Sequence, residues 1–130
     1  MRFCLRSTTL VLAVLTLSAT ATSVAHAGDA AVTVTAPTNT TKIKSGAKFG
    51  ANGTVSWVNN KPYGVKAVFG GVTGFGSLGA GNPAAWSIAA TVFTAPVVLV
   101  DTAYILPVTP VDPFDNPVGP TVNVPFIVTP

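Results

Sequence analysis

Residue types able to do chemistry are few in this chain and fall in three places. Gly74-Phe-Gly76-Ser-Leu-Gly79 matches G-x-G-x-x-G, with Asp101 at about the distance of a ribose-binding acid. That motif holds a pyrophosphate only where its glycines open a helix, whose N-terminal amides face the anion. Here Gly81, Asn82 and Pro83 follow at once, then a run of period two, so the stretch reads as a glycine loop and no cofactor is expected. Asp112, Asp115 and Asn116 are candidate calcium ligands, since calcium takes roughly six to eight oxygens, several often from one hairpin. The same residue types more often close a turn through side-chain-to-backbone bonds. Tyr63 and Phe75, in a turn and a glycine-rich stretch, are candidate ligand-binding rings of the kind on which a glycan stacks. Trp57 and Trp86 lie in phase with apolar neighbours and read as core.

What is missing narrows the chemistry further. The chain has 130 residues, of which 8% are charged, against about 25% in an ordinary soluble protein. It contains no Glu and no Gln, and Met1, Arg2, Cys4, Arg6 and His26 are the sole residues of their types. Residues 1–27 read as a secretory signal peptide: Arg2 and Arg6, an apolar run from Leu10 to Leu17, and Ala25-His26-Ala27 before the cleavage point. An uncleaved anchor helix is the alternative, although the apolar run is short for a membrane span. After cleavage the chain of residues 28–130 has no Cys, His, Met, Arg or Glu. A nucleophile would have no imidazole base, and zinc or copper would lack their usual ligands. No enzyme activity is expected, and no disulfide can form around a lone cysteine. Lys42, Lys44, Lys48, Lys61 and Lys66 stand against Asp29, Asp101, Asp112 and Asp115, a net charge of +1. One lysine-bearing stretch over residues 42–48 is too little for nucleic-acid binding. No transmembrane segment is expected after cleavage.

The elements that must carry these residues are strands. Val32 to Ala36 alternates before Pro37; Phe49, Ala51, Gly53, Val55 and Trp57 share one face of a second strand. Val65 to Phe69 follows the turn Asn59-Asn60-Lys61-Pro62. Trp86, Ile88, Ala90 and Val92 alternate with small polar residues, as do Tyr104, Leu106 and Val108, and Val122, Val124, Phe126 and Val128 end the chain. Residues 70–82 carry six glycines in thirteen positions and read as a flexible loop or an edge. Pro107, Pro110, Pro113, Pro117, Pro120 and Pro125 call for edge or interrupted strands, because proline cannot donate to a ladder. About seven short strands of this kind predict an all-β sandwich over residues 28–130.

The runs Ala85-Trp-Ser-Ile, Val100-Asp-Thr-Ala-Tyr104-Ile-Leu, Val111-Asp-Pro-Phe-Asp-Asn116 and Val122-Asn-Val-Pro-Phe-Ile-Val128 resemble those of bacterial immunoglobulin-like domains. The opening from Val32 to Trp57 is similar to the first strands of that family. Asp115 stands where the family usually has Gly, and Pro107 and Pro110 interrupt a normally regular strand. The resemblance implies an immunoglobulin-like β-sandwich on an exported protein, without catalytic residues. Tyr104 fits either a tyrosine corner or a half-buried strand tyrosine. The expected role is structural, adhesive or binding, outside the cell, in a periplasm or on a surface, with an extracellular protein or glycan as partner. Two alternatives are a fibre or coat subunit that self-associates through edge strands and a small glycan-binding module. Asn39-Thr-Thr41 and Asn52-Gly-Thr54 are glycosylation triplets in a host equipped to use them.

Overall fold

The computed structural model describes residues 30–130. The expected signal peptide of residues 1–27, and Asp29, lie outside the described residues. The described chain forms strands β1 (Ala31–Ala36), β2 (Lys42–Lys44), β3 (Lys48–Ser56), β4 (Gly64–Phe69), β5 (Val72–Ser77), β6 (Ala84–Thr94), β7 (Thr102–Val111) and β8 (Val122–Thr129). They make two sheets, one ordered β1-β3-β6 and the other β2-β8-β7-β4-β5. Every ladder is antiparallel except β2 with β8, which is parallel. The all-β sandwich read from the sequence is the architecture observed. No helix among the described residues is long and apolar enough to cross a membrane.

Alternation sets the inner faces. Val32 on β1, Phe49, Ala51 and Val55 on β3, Val65 and Ala67 on β4, Leu106 and Val108 on β7, and Val124, Phe126 and Val128 on β8 are all buried. Between the sheets, Phe49 lies 5.2 Å from Phe126 and 5.4 Å from Phe69, ring centre to ring centre; within its own sheet Phe49 lies 5.5 Å from Phe93, and within the other Phe69 lies 5.4 Å from Phe126. Offset and edge contacts of this sort add about 0.5–1.5 kcal/mol per pair beyond area burial. Trp86 is buried and donates its indole N–H to the Thr54 carbonyl at 3.1 Å. Tyr104 is the half-buried strand tyrosine of the two alternatives. Its ring packs on Phe69 and Phe126, and its hydroxyl has no hydrogen-bond partner among the described residues.

Three local features differ from the simple alternating pattern. The phase of β6 breaks after Ile88: Ala90 is exposed, Val92 half-buried and Phe93 buried. The β3–β6 register jumps between Phe49↔Phe93 and Ala51↔Ile88, so β6 bulges opposite Gly50. A Cβ at Gly50 would overlap the Ile88 and Ala89 carbonyls. Secondly, the glycine-rich stretch is a hairpin turn at Gly70 and Gly71 followed by β5, the edge strand of its sheet. Thirdly, β7 is central despite Pro107 and Pro110. Pairing with β4 stops at Ala67↔Val108, one residue before Pro107, and pairing with β8 begins at Val122↔Val108, short of Pro110. Each proline is thus paired on one side only, Pro107 with Asn123 of β8 and Pro110 with Val65 of β4, and lies past the end of the ladder on the other side, so a central strand tolerates them.

Candidate functional site

Tyr63 and Phe75 come together on one surface. The Tyr63 N–H donates to the Val111 carbonyl at 2.9 Å, which carries the β4–β7 pairing one residue past the strand end and fixes the tyrosine backbone. Phe75 is opposite Lys66 in the β4–β5 ladder and points outward, while its neighbours Gly74 and Gly76 face the sandwich interior. The glycines let β5 approach β6. A Cβ at Gly74 would lie 2.8 Å from the Ile88 and Phe93 side chains, and one at Gly76 would lie 2.8 Å from the Ser87 carbonyl. Beyond β5 the approach becomes pairing, with Leu78 bridged to Trp86 and the Gly79 N–H donating to the Ala85 carbonyl at 2.8 Å.

Phe75 lies over Gly64, where a Cβ would collide with the ring. Its centroid is 5.5 Å from that of Tyr63 at an interplanar angle of 36°. Both rings remain open to solvent, Tyr63 at 59% and Phe75 at 47% of full exposure. The pair therefore forms a preorganised apolar shelf. An open groove of about 400 Å³ runs beside it, lined by Lys61, Pro62, Tyr63, Ser77, Leu78 and Pro113. An ammonium and two hydroxyls around an apolar floor suit a neutral polyhydroxylated or amphipathic ligand, with rings for its apolar face and donors for its oxygens. Lys61 also lies 5.7 Å from the centre of the half-buried Trp57 ring, close enough for a cation–π contact. Asn82 pairs both backbone groups of Trp57, accepting its N–H at 3.3 Å and donating to its carbonyl at 2.9 Å.

The Asp112–Asn116 loop borders the groove through Pro113. Its carboxylates are engaged in two separate ways. Asp112 Oδ1 accepts the N–H groups of Phe114 and Asn116, each at 2.9 Å, and the Asn116 carbonyl accepts the Asp112 N–H at 2.9 Å. Asp115 instead meets the Lys66 ammonium at 2.9 Å. The hydrogen bond from the Asn116 N–H, opposed by desolvation and helped by the Phe114 N–H and the Asn116 side-chain amide, holds the Asp112 carboxyl below the ordinary aspartate range. Asp115 has φ +67°, in the left-handed region that favours glycine and admits Asp or Asn. The side chains of Asp112, Asp115 and Asn116 thus organise the turn. No group of three or more His, Cys, Asp or Glu side chains that could hold a metal ion occurs among the described residues.

Of the other residues singled out by sequence, Trp86 is core and Trp57 is half-buried just past the end of β3. Gly74 to Gly79 belongs to an edge strand and the turn after it, and Asp101 pairs with Lys42 at 3.7 Å. Asn39 is exposed in the β1–β2 turn, and Asn52 is exposed within β3. Sequence reading missed the seat under Phe75. The period-two spacing of Gly74 and Gly76 was its signal, small residues taking the inward positions that apolar residues usually occupy. No protein-family model matches the chain, and no curated protein is significantly similar to it in sequence.

Proposed function

We propose that this chain is an exported, non-catalytic immunoglobulin-like module that binds an extracellular glycan or protein through the Tyr63–Phe75 shelf. The observation that carries the reading is the exposed, mutually packed ring pair beside a groove with polar groups at its margin. The strand order supports the immunoglobulin-like part. In immunoglobulin lettering, β1, β3 and β6 correspond to A, B and E of one sheet, and β4, β7 and β8 to C, F and G of the other. Strand D has no counterpart among the described strands. Asp115, at the family's usual glycine position, adopts the backbone conformation glycine would serve.

Two measurements test the reading. N-terminal sequencing of the protein recovered outside the cytoplasm is expected to begin at Gly28; an intact start at Met1 would remove the export part. Retention of the purified protein on polysaccharide and protein fractions of its own cell envelope is expected to fall at least tenfold in Tyr63→Ala and Phe75→Ala, with folding unchanged. Equal retention of wild type and both variants would remove the shelf.

A second reading, self-association by strand addition, is favoured by the edge of β8. The parallel partner β2 covers only Ile127–Thr129, and the Ile127 N–H points to it, donating to Thr41 at 3.0 Å. By alternation, the backbone groups of Asn123 and Pro125 face the same way, upstream of β2. There a groove of about 450 Å³ separates β8 from β1, floored by Val32, Val34, Val122 and Val124. Sizing over a wide concentration range decides it, because a strict monomer at millimolar concentration excludes this assembly.

A further inference from the structure

The β6–β7 loop carries an unusual run, Pro96-Val97-Val98-Leu99-Val100. Val97 is 81% exposed, Leu99 92% and Val100 69%. These side chains stand out from a fixed backbone. Val98 packs inward against the core, and its N–H donates to Ser45 Oγ at 3.0 Å. Ala95 exchanges backbone bonds with the neighbouring turn, donating to Ala47 at 2.8 Å and accepting from Gly46 at 3.0 Å. Thr102 closes the far side, its hydroxyl donating to the Val100 carbonyl at 2.8 Å.

Three of the five lysines of residues 28–130 surround this loop. Lys48 Nζ reaches Thr94 Oγ1 at 3.2 Å on one flank, and Lys42 reaches Asp101 at 3.7 Å on the other. Lys44 is next to Ser45, whose hydroxyl holds Val98. Asp101 is the single acid in this group, so the rim keeps a net positive charge. An exposed apolar tip costs free energy in water, and the lysines around it call for a surface that is apolar at its centre and anionic at its margin. A bilayer with anionic headgroups uses both parts, its hydrocarbon taking the tip and its surface charge the rim.

We propose that the Val97–Val100 loop is a membrane-docking tip that inserts into anionic phospholipid bilayers, with Lys42, Lys44 and Lys48 held at headgroup level. The tip adds to an exported module a means of staying at a lipid surface, and it does not depend on the Tyr63–Phe75 shelf.

The test is co-sedimentation of the purified protein, as its host produces it, with vesicles. One set contains phosphatidylglycerol and phosphatidylcholine, the other phosphatidylcholine alone. Wild type is expected to bind the anionic vesicles at least tenfold better. Val97→Ser/Leu99→Ser, at positions too exposed to disturb the fold, is expected to lose at least tenfold in partitioning. Lys44→Gln and Lys48→Gln are each expected to lose about fivefold, with the remaining binding weakened by salt. A Leu99→Trp variant is expected to shift its emission to the blue on anionic vesicles only. Wild type staying in the supernatant with both vesicle types would overturn the proposal, as would equal binding by the serine double variant. A dimer in free solution that the serine double variant dissolves would assign the tip to a second copy of the chain and overturn it as well.

Discussion

Replacing Gly64 by alanine puts a methyl group where the Phe75 ring now lies, and the outcome can be worked out from the geometry. The new Cβ would stand 2.6 Å from Phe75 Cε1 and 2.8 Å from the Gly76 carbonyl oxygen. Phe75 Cζ would lie closer still, and carbon–carbon contact is comfortable at about 3.5–4.0 Å, so the ring must move by more than about 1 Å or swing away. Phe75 has room to swing, being 47% exposed, but doing so ends its 5.5 Å contact with Tyr63. Overpacking of this kind costs about 1–3 kcal/mol. Reduced unfolded-state freedom returns about 0.4–1 kcal/mol when alanine replaces glycine. The expected net loss is about 1–2 kcal/mol, together with loss of shelf binding. Urea unfolding followed by tryptophan fluorescence reads it as a lower midpoint with unchanged slope, a shift of about 0.5–1 M. The decisive comparison is the same substitution in a Phe75→Ala background, where the obstructing ring is gone. There the cost is expected to fall by at least half, giving a coupling of about 0.5–1 kcal/mol. An equal cost in both backgrounds would show that the Gly76 carbonyl, and not the ring, fills the space. The shelf would then have lost its seat.

Other consequences are as direct. Asp115→Val is expected to lose about 1–2 kcal/mol, because a β-branched residue tolerates φ +67° poorly. Asp115→Gly is expected to change stability by less than about 0.5 kcal/mol, relief of the backbone offsetting an exposed ion pair with Lys66; thermal melts of the two variants check both. The Asp112 carboxyl is depressed in the folded chain, so its contribution to stability is full above the unfolded aspartate value and disappears as pH falls through the folded one. Asp112→Ala is therefore expected to have a flatter melting-temperature profile below pH 4 than wild type, with loss of the Phe114 and Asn116 amide signatures at neutral pH. Phe126→Ala, at a fully buried ring touching Phe49, Phe69 and Tyr104, is expected to cost about 3–5 kcal/mol in urea unfolding.

The inner faces of β1, β3, β4, β7 and β8 were legible in the sequence because each alternates apolar and polar residues against a single buried side. β2 was hidden, since Ile43 is the one apolar residue in a three-residue strand set by its parallel pairing with β8. β5 was half legible, since its stretch reads from sequence as a loop or an edge and the edge is what forms. Its inward positions hold glycine, and a Gly-x-Gly alternation looks like a loop until a second sheet is known to pass over it. The phase error on β6 has the same origin, because a bulge is a property of two strands and only Gly50 on the partner hints at it. The site divides in the same way. That Tyr63 and Phe75 would be solvent-facing followed from where they sit among turn residues. That their rings meet depends on the β4–β5 register and the bare surface of Gly64, both long-range facts. The Asp112 turn was readable locally, as Asp and Asn cap their own backbone.

The shelf and the apolar tip lie at opposite ends of one rigid element. The tip ends where β7 begins at Thr102, and Tyr63 is bonded to Val111, where β7 ends. Ten residues of strand span roughly 30 Å. β7 pairs with β8 along its first part and with β4 along its last, so it cannot fold back to bring the ends together. A small ligand touching both surfaces is excluded by that length, and a bilayer holding the tip would leave the shelf facing away from it. Sites so far apart with no shared partner behave additively. Tyr63→Ala is therefore expected to leave vesicle partitioning unchanged, and Leu99→Ser to leave retention on envelope fractions unchanged once lipid is removed. The combined variant should show the two separate losses and no more. If Tyr63→Ala released the protein from vesicles, the two ends would be parts of one binding surface, and the division of labour along β7 would be wrong.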